Sequence, residues 1–265
     1  MINKTIGNGG NYATIGAAII ALNAASPLTD DYTFTLISDV TEGAHGDSFY
    51  DANGKTVTFT AAPHGGRLAS AKKVALSAPQ SGLDFGITNG NLIVENIHVD
   101  RTTTASQYYS AILYVDTGGI ILRNCFFHVG ASVKGGVCAI GTWGSTKICG
   151  CLLYGTICGG AHALELIGSN AVIENVTIFS CDSGVFFEGS NDSAVLRNVV
   201  TLDCPIGWDL GAWGCTATLI NCADSGTSIN DSPHKTSCLS GIDTVSNMWS
   251  IIPTDPLFMV PKIQF

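Results

Sequence analysis

The chain has 265 residues, of which 12% are charged and 31 are glycine, and its formal net charge at pH 7 is −9. Because it has only 12 lysine and arginine residues, it lacks the basic stripe that tracks phosphates, which argues against nucleic acids and anionic membranes as partners. No apolar run approaches the roughly 18 residues of a membrane span, and MINKTIGNGG lacks the apolar core of a signal peptide. We therefore expect a protein that folds in the cytoplasm with its ten cysteines reduced.

The first predicted element is a helix within YATIGAAIIALNAAS. Apolar residues recur there at helical spacing from Ile15 to Leu22, Thr14 has the side chain of an N-cap, and Pro27 follows the end. This is the one segment of the chain whose apolar period is helical. After it we expect strands.

From Tyr32 onwards the chain consists of short strand patterns. YTFTLIS, KTVTFTAAP and KKVALSAP alternate apolar and polar residues, as half-buried strands do. Six later phrases align on one position at intervals of 28, 26, 25, 23 and 23 residues, and that position holds Asn96, Asn124, Gly150, Asn175, Asn198 and Asn221. Each period contains two or three strands and no room for a helix. A period of this size made of strands predicts a β-solenoid.

The aligned position predicts a corner of each coil. Asparagine tolerates the left-handed backbone of a sharp corner, and its amide can bond the same corner of the next coil, whereas Gly150 suits the corner but interrupts the ladder. The next residue is apolar in every repeat, which predicts an inward stack of Ile97, Cys125, Cys151, Val176, Val199 and Cys222. The preceding residue is expected to point outward, with Glu95 facing Arg123 and Glu174 facing Arg197 in ion pairs worth less than ~1 kcal/mol each.

These Asn-cornered coils resemble the right-handed parallel β-helix of the pectin-lyase-like superfamily. TIGNGGNYATIGAAIIAL is similar to the opening GxGGDYxTIxxAI of many members, and DPLF, from Asp255 to Phe258, is similar to a phrase that often closes them. We therefore predict an all-β fold, a single-stranded right-handed parallel β-helix (solenoid) with a short N-terminal capping α-helix. The predicted division is a cap with the helix in residues 1–31, the parallel β-helix in 32–240 and a closing segment in 241–265. The helix is expected to cover the apolar interior and unpaired edge of the first coil.

Candidate catalytic residues follow from the same resemblance. Carbohydrate-active members commonly work on the outer face of one sheet, and we assign SGVFFEG and its equivalents to that sheet. Alternation then points Asp116, Glu165, Glu188 and Asp209 outward. Glu165 and Glu188 are one 23-residue step apart, so we expect adjacent carboxylates that share acid and base roles in glycoside cleavage if the chain is an enzyme. Asp116 and Asp209 are the glycan-binding candidates, and an ordinary acidic sheet face is the alternative interpretation.

Other chemistries receive less support from the residues. Lyase chemistry usually relies on Arg or Lys with Ca²⁺, and no basic residue falls in this outward set. His98 and His128 lie two and four residues past their asparagines, and we interpret them as partly buried or turn histidines rather than ligands. Cys149, Cys151 and Cys158 have a spacing that suits zinc, but the first two are predicted to point apart. We therefore predict no metal and no cofactor.

Three functions remain open, because the superfamily includes lyases, hydrolases, esterases, epimerases, and virus fibres and spikes. The absent signal peptide and a rod of roughly 40 Å, from coils about 4.8 Å apart, favour a non-enzymatic bacteriophage virion protein: a tail fibre, spike or capsid decoration subunit. We expect it in the virion as a homotrimer that contacts other virion proteins, with host surface polysaccharide as a further candidate partner. The alternatives are a carbohydrate-active enzyme, a glycan hydrolase using the acidic sheet face, and a bacterial surface adhesin.

Overall fold

The computed structural model shows a chain wound into a parallel β-solenoid. It describes residues 1–43, 49–77, 83–101, 113–116, 119–129, 137–140, 145–155, 162–167, 170–187, 193–209, 215–224, 227–229, 234–236 and 239–240. Each coil passes through three parallel sheets in turn, named sheets A, B and C below. The predicted all-β solenoid is confirmed.

Among the described residues, sheets A, B and C contain ten, nine and eight strands. The strands of sheet A are, in spatial order, Ile2–Ile6, Tyr32–Leu36, Thr56–Ala61, Asn91–Glu95, Gly119–Arg123, Ser145–Cys149, Asn170–Glu174, Ser193–Arg197, Thr216–Ile220 and His234–Thr236. Those of sheet B are Val40–Glu42, Lys72–Leu76, Ile97–Arg101, Phe126–Val129, Leu152–Gly155, Thr177–Phe179, Val200–Leu202, Ala223–Asp224 and Leu239–Ser240. Those of sheet C are Phe49–Asp51, Leu83–Thr88, Leu113–Asp116, Val137–Ile140, His162–Ile167, Ser183–Phe187, Ile206–Asp209 and Thr227–Ile229.

The corner between sheets A and B is formed by the aligned asparagines and one glycine. All six have positive φ, between 50° and 64°: Asn96, Asn124, Gly150, Asn175, Asn198 and Asn221. The side-chain amide of Asn198 donates to the amide oxygen of Asn175 at 3.0 Å. The predicted left-handed corners are confirmed, and so is the amide ladder for this pair.

The columns on either side of the corner also match the prediction. The six inward residues are at most 3% exposed, so their side chains form a continuous part of the core. Outside it, Arg123 meets Glu95 at 3.1 Å and Arg197 meets Glu174 at 2.8 Å. Both arginines are about half exposed, so these ion pairs contribute to register more than to stability.

Gly150 gives a test of the corner geometry. Its φ is +64°, and a Cβ atom there would lie 2.6 Å from Asn124 Oδ1. We expect Gly150→Ala to lower the free energy of unfolding by about 1–3 kcal/mol, because strain and this contact add. Asn tolerates positive φ, so Gly150→Asn, with the same contact but less strain, should lose less. Urea unfolding of both variants measures the difference, and equal losses would contradict the prediction.

The predicted N-terminal helix is present from Ile15 to Ala24. Thr14 caps it by accepting from the backbone N–H of Ala17, as predicted. The carboxylate of Glu42, which is fully buried, accepts from Ile15 and Gly16 N–H at 2.5 and 3.2 Å. A carboxylate is well placed there, since the first N–H groups of a helix lack partners within it. No helix in the described part of the chain is long and apolar enough to span a membrane.

The predicted cap segment contributes more than a helix. Its residues Ile2–Ile6 form the first strand of sheet A and pair in parallel with Tyr32–Leu36. The sheet thus begins before the predicted boundary at residue 32, and the helix leaves and returns between its first two strands. The predicted closing segment, residues 241–265, lies outside the described residues.

Candidate functional site

The outer face of sheet B carries a cluster of polar and aromatic side chains. Strand register places its members in two outward rows across neighbouring coils: Lys73, His98 and Phe126 in one row, and Asp100, His128 and Tyr154 in the other. We call these six residues the sheet B cluster. Between the rows, Val74, Val99 and Phe127 are fully buried in the core, as the two-residue alternation of a strand requires.

Asp100 connects two cationic or ionisable neighbours. His128 Nδ1 lies 2.7 Å from one carboxylate oxygen, and Lys73 Nζ lies 3.4 Å from the other. Burial by itself would raise the pKa of Asp100, but the hydrogen bond from His128 and the nearby positive charges, including Lys73, outweigh it and lower that pKa. The carboxylate is therefore ionised and held on both sides. Its side chain is 12% exposed, whereas that of His128 is 26% exposed, so solvent reaches the imidazole more readily than the carboxylate.

His98 and Tyr154 form a second contact within the cluster. The Tyr154 hydroxyl lies 3.1 Å from His98 Nε2, and the Tyr154 ring stacks on His128 with centroids 4.7 Å apart and planes 8° from parallel. Burial lowers the pKa of His98 to about 4, and the nearby Asp100 charge offsets this only in part. Burial, assisted by Asp100, raises the pKa of Tyr154 to about 12. At neutral pH the hydroxyl therefore keeps its proton, and the neutral His98 can accept it.

The connection between residues 61 and 72 borders the cluster. Gly66 N–H donates to His64 Nδ1 at 3.1 Å, so the proton of this ring is on Nε2, which lies 2.6 Å from the carbonyl oxygen of Asn124. The His64 ring also packs on Phe126 with centroids 4.5 Å apart. Phe126 is only 3% exposed. The connection thus forms a wall on one side of the cluster.

His98 gives the stability of the fold an acid-sensitive part. Its pKa is about 4 in the folded protein, against an ordinary value of 6.5. Between these pH values the unfolded chain binds more protons than the folded one, so the free energy of unfolding decreases as the pH falls through this window. The shift corresponds to at most about 3 kcal/mol. We expect His98→Gln to lose this dependence in urea unfolding on both sides of the window; an unchanged dependence would contradict the prediction.

The sequence-predicted pair Glu165 and Glu188 does not lie as expected. Glu165 is opposite Phe186 in the next coil, a step of 21 residues rather than 23. It is also buried, with 6% of its surface exposed. Glu188 lies outside the described residues. The expectation that the two carboxylates are stacked neighbours in register is therefore wrong, because the 23-residue interval measured at the corners does not hold in sheet C.

The two glycan-binding candidates also lie in different registers. Asp209 follows Phe186 in the column that contains Glu165. Asp116 is in register with Ile140, two residues further along the strands than that column. The role of these residues in binding stays a prediction.

The cysteines do not form a described metal site. Cys149 is half-buried and in register with Glu174 in the outward column, whereas Cys151 is buried in the inward one. Cys158 lies outside the described residues. Within the described ranges, no group of three or more His, Cys, Asp or Glu side chains is arranged to hold a metal ion.

The coils and their three sheets define the class of fold: a right-handed parallel β-helix of the pectin-lyase-like type. The solved structure of the pectin methylesterase from Aspergillus niger in deglycosylated form matches it with a TM-score of 0.50 and 14% identity, over 88% of this chain and 89% of that chain. The same enzyme in penultimately deglycosylated form matches with a TM-score of 0.49 and 14% identity over the same shares. No protein-family model and no curated protein matches the chain. At this identity the likeness shows the fold.

The comparison corrects the main functional expectation. The matching structures are those of a pectin methylesterase and not of a fibre, spike or decoration protein. The prediction of a non-enzymatic bacteriophage virion protein is therefore wrong, and the alternative of a carbohydrate-active enzyme fits better. The homotrimer stays a prediction.

Proposed function

We propose that the protein is a carbohydrate-active hydrolase that cleaves ester groups on a polysaccharide with the outer face of sheet B. The observation that carries this proposal is the Asp100–His128 pair, joined at 2.7 Å, with Lys73 on the second carboxylate oxygen. A buried carboxylate that accepts from one imidazole nitrogen leaves the other nitrogen to act as a base. The partial exposure of His128 gives that nitrogen a path to solvent.

The chemistry of ester hydrolysis uses such a pair directly. A water molecule attacks the ester carbonyl carbon while His128 Nε2 takes one of its protons. The bond between that carbon and the alcohol oxygen then breaks, and the imidazolium returns the proton to the departing alkoxide, which leaves an acid and an alcohol. Asp100 keeps the proton of the neutral ring on Nδ1 and stabilises the imidazolium during the reaction.

The composition of the cluster favours esters over glycosidic bonds. Glycoside hydrolysis ordinarily needs two carboxylic groups that flank the bond, whereas the six residues of the sheet B cluster include one, Asp100. The fold neighbour is by name a pectin methylesterase, which supports methyl-esterified pectin as the first substrate to try. An esterified polysaccharide also carries less negative charge than a free polyuronate, and this suits a chain with a net charge of −9.

The test is release of acid from methyl-esterified pectin and from acetylated polysaccharides, followed by titration at constant pH. We expect turnover by the unmodified protein and loss of turnover in Asp100→Asn. Glu174→Gln is the matched control, because this carboxylate also meets a cation but lies on sheet A. The control should keep the full rate.

Two outcomes would overturn the proposal. One is the absence of acid release from every ester substrate by the folded protein. The other is full activity in Asp100→Asn. If Glu165→Gln removes an activity that Asp100→Asn retains, the site is on sheet C instead.

A further inference from the structure

Tyr154 occupies a position that the proposed reaction does not itself require. It is the next residue after Asp100 and His128 in the same outward row, one coil further along the solenoid. Asp100 holds the Nδ1 edge of the His128 ring, and Tyr154 lies flat against one face of that ring at 4.7 Å. The imidazole is thus restrained at an edge and across a face by residues from the two neighbouring coils.

The Tyr154 ring is itself restrained from the other row. Its hydroxyl lies 3.1 Å from His98 Nε2, and His98 packs edge-on against Phe126, with centroids 6.2 Å apart and planes at 84°. His98 is 7% exposed, so this support is packed rather than solvent-borne. A side chain whose rotamer is fixed by packing and by a hydrogen bond can orient its neighbour without loss of further conformational entropy.

The charge state of the support is also suited to this role. His98 stays neutral above a pH of about 4, since burial lowers its pKa to that value. It therefore accepts the Tyr154 hydroxyl proton without placing a second positive charge next to the His128 imidazolium. The charged or ionisable groups in the cluster around His128 are Asp100 and His98 on one strand, Lys73 on the strand before it and Tyr154 on the strand after.

We infer that Tyr154 and His98 form a positioning pair that holds the imidazole of His128 in the orientation in which Nδ1 meets Asp100 and Nε2 is left for water. This inference rests on the proposed function only for its consequence in catalysis. The positioning is a property of the folded protein. It is measured without substrate.

The test is ¹⁵N NMR of the His128 ring in the unmodified protein and in Tyr154→Leu, Tyr154→Phe and His98→Gln. In the unmodified protein we expect a single neutral tautomer with the proton on Nδ1. Tyr154→Leu removes the stacked ring and should give shifts averaged between tautomers. Tyr154→Phe keeps the ring and the volume but loses the bond to His98, so together with His98→Gln it should show a smaller change in the same direction.

Phe179→Leu is the matched control, because Phe179 follows Tyr154 in the same row and is one coil further from His128. Its His128 signals should match those of the unmodified protein. The inference is overturned if His128 keeps its single tautomer in every folded variant of Tyr154 and His98, or if Phe179→Leu changes it equally. Should Tyr154→Leu fail to fold, Tyr154→Phe and His98→Gln decide the result.

Activity separates this inference from the proposed function. If the protein hydrolyses esters, Tyr154→Phe should lower kcat about tenfold with KM unchanged, as loss of orientation does. A fall in kcat with no change in the His128 signals would show that Tyr154 acts on the substrate and not on His128, which contradicts the inference. If no ester is cleaved, the proposed function fails while the NMR result still decides the positioning.

Discussion

Replacing His128 with asparagine is expected to lower kcat for ester hydrolysis by a factor of about 10²–10⁴, the usual contribution of a general base. The asparagine amide can still donate to Asp100, so the buried carboxylate keeps a partner. What is lost is the ring nitrogen that takes the proton from water. KM should change little, because the imidazole interacts with the reacting water more than with the bound polysaccharide. Steady-state kinetics on the ester that the unmodified protein cleaves best provide the measurement.

His162→Asn is the matched control for this substitution. His162 is a half-buried histidine on sheet C that stacks on Phe186 at 4.1 Å, away from the sheet B cluster. We expect this variant to keep kcat within about twofold, since its ring belongs to another sheet and general-base effects require hydrogen-bond reach. If His128→Asn keeps most of its turnover, or if the two variants lose equally, the role of His128 as the base is wrong.

Replacing Trp208 is expected to have the largest effect on stability. Its indole N–H donates to a carboxylate oxygen of Asp224 at 2.7 Å, and both residues are 2% exposed. In Trp208→Phe the aromatic ring remains but this donor is lost, so we expect a loss of about 1.5–3 kcal/mol, the range for a hydrogen bond to a charged group. Trp208→Ala also leaves a cavity and should lose about 3–5 kcal/mol. Urea unfolding at neutral pH measures both.

A double-mutant cycle isolates the contact between these two side chains. Asp224→Asn is combined with Trp208→Phe, and the coupling energy between the changes should be about 0.5–3 kcal/mol. Phe187→Leu is the comparison, because Phe187 is as deeply buried on the same sheet. The prediction fails if Trp208→Phe costs no more than Phe187→Leu and the cycle shows no coupling.

The corner and its columns were predictable because they depend on local chemistry. Asn175 and Asn198 adopt positive φ since asparagine tolerates it and a sharp corner needs it. Once the corners are aligned, the two-residue alternation of strands assigns the neighbouring residues to the inside or the outside. The ion pair between Glu174 and Arg197 follows from that alignment alone.

The candidate site was missed although a signal for it is present in the sequence. Asp100, His128 and Tyr154 each lie four residues after their corner residue, so the alignment already places them in one row. His98 and His128 were compared with each other, and their different offsets were interpreted as a mismatch. Offsets of two and four fall on the same face of a strand, because side chains alternate with a period of two.

Sheet C shows why the rest was not predictable. Glu165 faces Phe186 and not Glu188 because the segments between corners differ in length from coil to coil, and register in sheet C depends on where each of them is absorbed. The sequence alone determined the solenoid, its corners and its inward stack, since each is a local preference repeated at every coil. The tertiary structure alone decided which side chains meet across coils: His98 with Tyr154, His64 with the Asn124 carbonyl and Trp208 with Asp224. These contacts join residues that are distant along the chain, and only packing brings them together.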